Sequence, residues 1–266
     1  NCQPVTGSRL TGFAQVPLWG LGRVIGHQEF AENWGGLIDI DDADDPAQAA
    51  ARICDHLLDA DSEDQIALRG GATFVPRLRP CRSLASPFPT KLSADATYVV
   101  TGGGGALGRL VAGYLAERGA RHITLLSRTE LPPREGWAAL TEGDAHFATV
   151  RALEAIEELG AEIETASVYI TDFRQVAAWR ADHLGRGGRP IRGLVHAAGS
   201  VDDHLLVNMA EDDFAAVLAP KIVGTQVLHD ALRDDALDFF VLFGSAGSVV
   251  ASPGQDPGQL LEPVVG

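Results

Sequence analysis

The stretch ATYVVTGGGGALGRLVAGYLAERGA, residues 96–120, decides how this chain folds. Thr97 to Val100 is apolar and β-branched, the composition of a strand. A glycine run follows, and then apolar residues recur at helical spacing until Gly119. Within the run, Gly103-x-Gly105-x-x-Gly108 stands between strand and helix, the context in which that spacing carries meaning. There the first glycine permits a tight turn, the second lets a pyrophosphate approach the backbone, and the third lets helix and strand pack closely. The helix start at Ala106, Leu107 and Gly108 then faces the phosphates with unpaired N–H groups and the positive end of its dipole. Thr101 closes the strand below. The pattern is that of a dinucleotide-binding turn.

The rest of the second half repeats the alternation. HITLLSR (122–128) reads as a second strand, and a long polar insertion (129–145) precedes the helix TVRALEAIEELGA (149–161). EIETASVYITD (162–172) and IRGLVHAAGS (191–200) are the third and fourth strands. DDFAAVLAPKIVGTQVLHDALRD (212–234) is mostly helix, and LDFFVLF (237–243) is the fifth strand. Apolar strands alternating with helices imply an α/β fold with a doubly wound parallel sheet and right-handed crossovers. The second strand ends in Ser127 and Arg128 with no carboxylate. An acid there would pair the ribose 2′-hydroxyl of NADH, whereas an arginine accommodates the 2′-phosphate, so NADPH is expected. The small residues Ala197, Ala198 and Gly199 end the fourth strand, where bulk would collide with a cofactor lying across the sheet's carboxyl edge.

The first half carries no glycine-rich phosphate loop. GGLIDI (35–40) is a short strand, and DPAQAAARICDHLLDA (45–60) is a helix with Asp45 as N-cap and Pro46 at its first position. Its residues Ala49, Ile53, Leu57 and Leu58 are expected on one face. DQIALRG and ATFVPRL are two strands across a Gly70-Gly71 turn. PRLRPCRSLASPFP (76–89) has prolines at four positions and no periodicity, the mark of a linker. The expected division is a smaller, degenerate Rossmann-like structural subdomain over residues 1–90 and an NADPH-binding subdomain over residues 91–266, incomplete after Gln255.

A net charge of −15 disfavours binding to nucleic acid, which needs a basic face, and docking on anionic membranes. Cys2, Cys54 and Cys81 are odd in number and widely spaced, which suggests a reducing cytoplasmic setting without disulfides or a zinc site. The polar opening NCQPVTGSR reads as a domain cut from a longer chain.

Taken together, YVVTGGGGALGRLVAGYLAERGARHITLLSR, GLVHAAGSVDDHLL, VLAPKIVGTQVLHDAL and FFVLFGSAGSVVASPGQ resemble the ketoreductase domain of modular type I polyketide synthases. That family belongs to the short-chain dehydrogenase/reductase superfamily. PLWGLGRVIGHQEFAENWGGLIDID and EDQIALRGGATFVPRL resemble its non-catalytic structural subdomain. The resemblance implies NADPH-dependent reduction of a β-ketoacyl group carried by an acyl carrier protein, beside neighbouring polyketide synthase domains. It gives Lys221 the place of the catalytic lysine and Ser245 that of the serine that hydrogen-bonds the carbonyl. Asp203, in SVDD, takes the place that marks B-type stereochemistry and a D-configured 3-hydroxyacyl product, with Val201 where the family has leucine.

Three positions depart from the family. Its third strand ends in an aspartate that contacts adenine, and here Tyr169 stands there; Asp172, which matches a later position, is the acid left for the cofactor. Gly244 replaces a second serine. The family's tyrosine and asparagine after SPGQ are missing from DPGQLLEPVVG. The expectation is that the proton donor lies in residues outside this sequence. The alternative is a tyrosine-less, non-reducing module that acts as a scaffold. A third reading, another reductase of the superfamily such as a sugar-nucleotide epimerase, is opposed by the structural first half.

Overall fold

The computed structural model describes residues 1–5, 7, 9–59, 63–80, 91–202 and 204–245. They form two compact units, one around Asn1–Ser83 with Val201–Phe214, the other from Leu84–Ser200 and Ala215–Phe243. No helix among the described residues is long and apolar enough to cross a membrane.

In the first unit, α1 (Val16–Val24) starts with Pro17 in its first turn, where a missing N–H costs nothing. The sequence reading missed this helix, because its glycines blur the apolar period. Gly22 is a packing position: a side chain there would meet Leu37 Cδ2 at 2.8 Å. β1 (Leu37–Asp39), α2 (Pro46–Leu58), β2 (Gln65–Arg69) and β3 (Ala72–Phe74) follow. The sheet order is β1-β2-β3, with β1 and β2 parallel and β3 antiparallel. Gly70 and Gly71, at φ +50° and +82°, supply the two left-handed positions of a tight hairpin turn. As expected, the Asp45 carboxylate caps α2, accepting from the Ala47 and Gln48 N–H groups. Ala49 is buried, but Leu57 and Leu58 are 63% and 86% exposed, so the apolar face of α2 ends a turn early.

One buried ion pair ties β1 to β2. Arg69 Nη2 binds the Asp39 carboxylate, with side chains 7% and 3% exposed. Arg69 Nη1 also donates to the Asp39 and Leu68 carbonyls at 3.0 and 2.8 Å. Burial works to raise the Asp39 pKa, but the N–H groups of Cys2 and Gln3 and the Arg69 guanidinium outweigh it and hold it at about 2. Arg69→Met removes the guanidinium from that buried carboxylate and leaves it the Cys2 and Gln3 N–H groups and the Asn1 ammonium. The expected cost is about 3–5 kcal/mol, read as a lower urea midpoint. A loss below about 1 kcal/mol would show that the pair does not support this sheet.

The second unit runs β4 (Thr97–Thr101), α3 (Ala106–Glu117), β5 (His122–Ser127), α4 (Phe147–Glu157), β6 (Glu162–Ser167), α5 (Phe173–Gly185), β7 (Ile191–His196), α6 (Glu211–Leu232) and β8 (Phe239–Leu242). All pairings are parallel and the order is β6-β5-β4-β7-β8. This is the doubly wound sheet expected. Strand side chains alternate between two cores. Tyr98, Val100, Ile123, Leu125 and Ile163 pack under α3 and α4, while Val99, Leu126 and Leu194 pack under α5 and α6. Each such buried aliphatic contributes about 1.5–3 kcal/mol. The sequence reading passed over α5, whose buried stripe is only Val176, Trp179 and His183 among arginines and alanines. It also took 129–145 as polar, whereas Arg134–Ala139 form a 3-10 helix that sinks Trp137 into the core.

Candidate cofactor crevice and active site

The glycines between β4 and α3 are interlocked. The left-handed residue is Gly102, at φ +71°, so the tight turn belongs to it and not to Gly103. A side chain on Gly102 would meet Ala198 Cα at 2.8 Å and the Ala197 oxygen at 2.9 Å; on Gly103 it would meet Leu125 Cβ at 2.5 Å. On Gly108 it would meet the Gly102 oxygen at 2.4 Å, which is the close helix–strand approach expected there. Gly105 is the N-cap of α3, extended at φ −81° and ψ 165°, with no side-chain cap and no acid in the first turn. Gly104 through Leu107 are exposed. Arg109, which the sequence reading missed, pins the crest by donating to the Gly104 carbonyl at 2.6 Å and the Thr149 hydroxyl at 3.1 Å. The residues present fit a dinucleotide pyrophosphate: bare backbone, an uncapped helix start and a positive dipole end, all open to solvent.

Beside this cradle lie the ends of β5 and β6. Gly104 faces Ser127 Cβ, 3.8 Å from where its own Cβ would be. Ser127 Oγ donates to the Thr129 carbonyl at 2.6 Å, and Ser167 Oγ to the Arg128 carbonyl at 3.1 Å. Arg128 is exposed, and its guanidinium pairs with no group among the described residues. Tyr169 is 51% exposed just past β6, its N–H bonded to Gln175 Oε1. The Asp172 carboxylate is committed to capping α5 through the Arg174 and Gln175 N–H groups.

At the end of β7, Ala197, Ala198 and Gly199 do more than leave room. The first two abut Gly102, and a side chain on Gly199 would meet Lys221 Cε at 2.9 Å. The Lys221 stem thus lies over Gly199, and Nζ donates to the Phe243 carbonyl, just past β8, at 3.1 Å. Thr101 is fully buried, and its hydroxyl meets His196 Nδ1 at 2.6 Å rather than facing the crevice. His196, a buried residue the sequence reading left without a role, meets the Pro220 carbonyl through Nε2 at 2.9 Å. The glycine cradle, Ser127–Arg128, Ala197–Gly199 and Lys221 therefore all belong to the carboxyl edge of one sheet.

The sequence model of the KR domain matches residues 96–257. The chain belongs to the KR domain family. It is a ketoreductase domain of the polyketide synthase type, with the Rossmann-like fold of an oxidoreductase that binds a nicotinamide cofactor. A phenolphthiocerol/phthiocerol polyketide synthase protein of Mycobacterium tuberculosis is 38% identical over 90% of the chain, which spans 13% of that protein. The 6-methylsalicylic acid synthase of Aspergillus terreus is 40% identical over 92%, and the chain spans 14% of it. Among solved structures, the ketoreductase from the first module of phoslactomycin biosynthesis in Streptomyces sp. HK803 matches with a TM-score of 0.78 and 32% identity, over 97% of this chain and 55% of that one. An A1-type ketoreductase matches at 0.77 and 33%, over 97% and 50%.

For a ketoreductase, the tyrosines of this chain are misplaced. Tyr98 is buried at 1% exposure, its hydroxyl accepting from the Ser93 N–H at the amino edge of the sheet, opposite the crevice. Tyr114 lies within α3 under the Arg118 guanidinium, 4.9 Å above its ring. Tyr169 follows β6, four strand spacings from β8, or about 19 Å. No tyrosine among the described residues stands beside Lys221. Ser245 is the last described residue, half-buried, two positions beyond Phe243. Asp203 lies outside the described residues, as does the SPGQ segment.

Proposed function

We propose that this ketoreductase domain uses NADPH to reduce a β-ketoacyl group on an acyl carrier protein to a 3-hydroxyacyl group, within a cytoplasmic polyketide synthase whose other domains flank it. The observation that carries the reading is the uncapped start of α3 over interlocked glycines, beside an arginine whose guanidinium pairs with no group among the described residues. Gly103, Gly105, Ala106, Leu107 and Gly108 hold the pyrophosphate; Ser127 and Arg128 hold the 2′-phosphate; Ala197 to Gly199 border the nicotinamide half. Thr101 and Asp172 serve from behind, one anchoring β4 to β7 and the other holding the β6–α5 turn. NADPH, when bound, supplies the hydride. The Lys221 ammonium and the Ser245 hydroxyl stabilise charge that develops on the carbonyl oxygen. The proton comes from a group other than Tyr98, Tyr114 or Tyr169. Asp203 directs the D-configured product, and residues 1–90 act as the structural subdomain.

Fluorescence titration tests the cofactor assignment. A charge-assisted phosphate contact is worth about 1.5–3 kcal/mol, so NADPH is expected to bind about 10–100 times tighter than NADH. Arg128→Ala should erase the difference, and equal affinities in the parent chain would overturn it. NADPH oxidation with a β-ketoacyl N-acetylcysteamine thioester, followed by chiral analysis, tests the reaction. Because no tyrosine stands by Lys221, a second outcome has meaning: firm NADPH binding without turnover supports the scaffold reading.

A further inference from the structure

A proline interrupts α6 near its middle, and side chains from the strand β7 and its end attend to the break. Pro220 has no N–H, so the Ala216 carbonyl loses its helical donor. Ser200 Oγ approaches that carbonyl at 3.5 Å. The Pro220 carbonyl accepts from His196 Nε2 at 2.9 Å. A carbonyl can only accept, so Nε2 carries the proton and Nδ1 is a lone pair. That lone pair receives the Thr101 hydroxyl at 2.6 Å, and the same oxygen accepts the Ala198 N–H at 3.3 Å. His196 is 3% exposed and Thr101 fully buried. Burial, with the nearby Lys221 ammonium, outweighs the carbonyl and holds the ring neutral, its pKa lowered to about 4. Gly224 lets the helix come this close; a Cβ there would lie 3.0 Å from Ile170 Cδ1 and 3.7 Å from His196 Nε2.

Lys221 directly follows Pro220. Its stem has four rotatable bonds, so the direction of its ammonium depends on how firmly that turn is held. We infer that His196, clamped between Thr101 and the Pro220 carbonyl, is a positioning residue that fixes the broken turn of α6 and, through it, the Lys221 ammonium. This rests on the reading of Lys221 as a catalytic group. A misplacement of about 1 Å costs about 100-fold in rate, so a turn left loose at this point would matter.

The chain has two lysines, Lys91 and Lys221, so reductive methylation with 13C-formaldehyde yields two lysine signals that Lys221→Ala assigns. His196→Leu should move the Lys221 signal toward that of a free lysine while the Lys91 signal stays. It should also lower kcat about 10–100-fold at constant NADPH affinity. His196→Gln, whose amide can still donate to the Pro220 carbonyl, should restore most of both. In a Lys221→Ala background the kcat effect should vanish while the loss in Tm persists, since only the positioning acts through the lysine. If His196→Leu does not fold, Thr101→Val, which removes the Nδ1 anchor, is read the same way. An unmoved Lys221 signal, or equal kcat losses in both backgrounds, overturns the inference. Full turnover by Lys221→Ala overturns the catalytic reading instead, and the lysine signal still decides whether the clamp exists.

Discussion

Gly108→Val is expected to weaken NADPH binding by more than about 100-fold, which is about 2.7 kcal/mol, while Gly104→Ala stays within about twofold of the parent. The two glycines share one turn and differ in what surrounds them. A Cβ on Gly108 lies 2.4 Å from the Gly102 oxygen and 2.8 Å from Gly103 Cα, both backbone atoms that cannot rotate away. Helix α3 must then lift off β4, carrying its uncapped N–H groups out of line. At Gly104 the nearest atom is Ser127 Cβ at 3.8 Å, an ordinary contact, and its φ is outside the left-handed region. Fluorescence titration reads the affinities, and Tm should fall for Gly108→Val alone. If that variant binds NADPH like the parent, the crevice is not the cofactor site.

Acidification should expose His196. Its folded pKa of about 4 lies below the ordinary 6.5, because burial penalises the charged ring. Between those values the unfolded chain binds a proton that the folded chain refuses, so stability falls as pH drops from 6.5 toward 4. Above 6.5 the contribution is fully present, and below about 4 no more is lost. At 1.36 kcal/mol per unit the interval amounts to about 3 kcal/mol. Urea midpoints of the parent and His196→Gln, measured between pH 7 and pH 4, isolate this residue from the carboxylates that titrate alongside it. The variant should show the shallower decline. Parallel curves would mean that His196 protonates without cost.

What could be read from the sequence was what is local and steric. Gly103-x-Gly105-x-x-Gly108 announced the β4–α3 turn because a Cβ there has nowhere to go, and Asp45-Pro46 announced α2 because a cap and its helix are neighbours. Arg128 stood out by the missing acid alone. The rest depends on partners far along the chain. Thr101 meets His196 across 95 positions, so nothing near either residue marks the clamp. Gly102 looked like one more glycine of the run, yet its left-handed turn is set by Ala197 and Ala198 pressing from β7. The helix α5 was hidden because a thin stripe of Val176, Trp179 and His183 suffices when a sheet face covers it. Leu57 and Leu58 show the converse: helical spacing proposes a buried face, and only a neighbour can bury it.

The interlocked glycines and the open end of β5 would give this domain two kinds of evolvability. Substitutions in the glycine turn strike helix packing and phosphate binding together, so selection cannot trade one against the other there. Arg128 is different, since its guanidinium supports no fold contact among the described residues. If Arg128 holds the 2′-phosphate as proposed, an acid in its place is expected to redirect the same scaffold from the phosphorylated to the unphosphorylated dinucleotide at little cost in stability. Cofactor choice is then the adjustable trait of such a domain, and cofactor binding the inherited one.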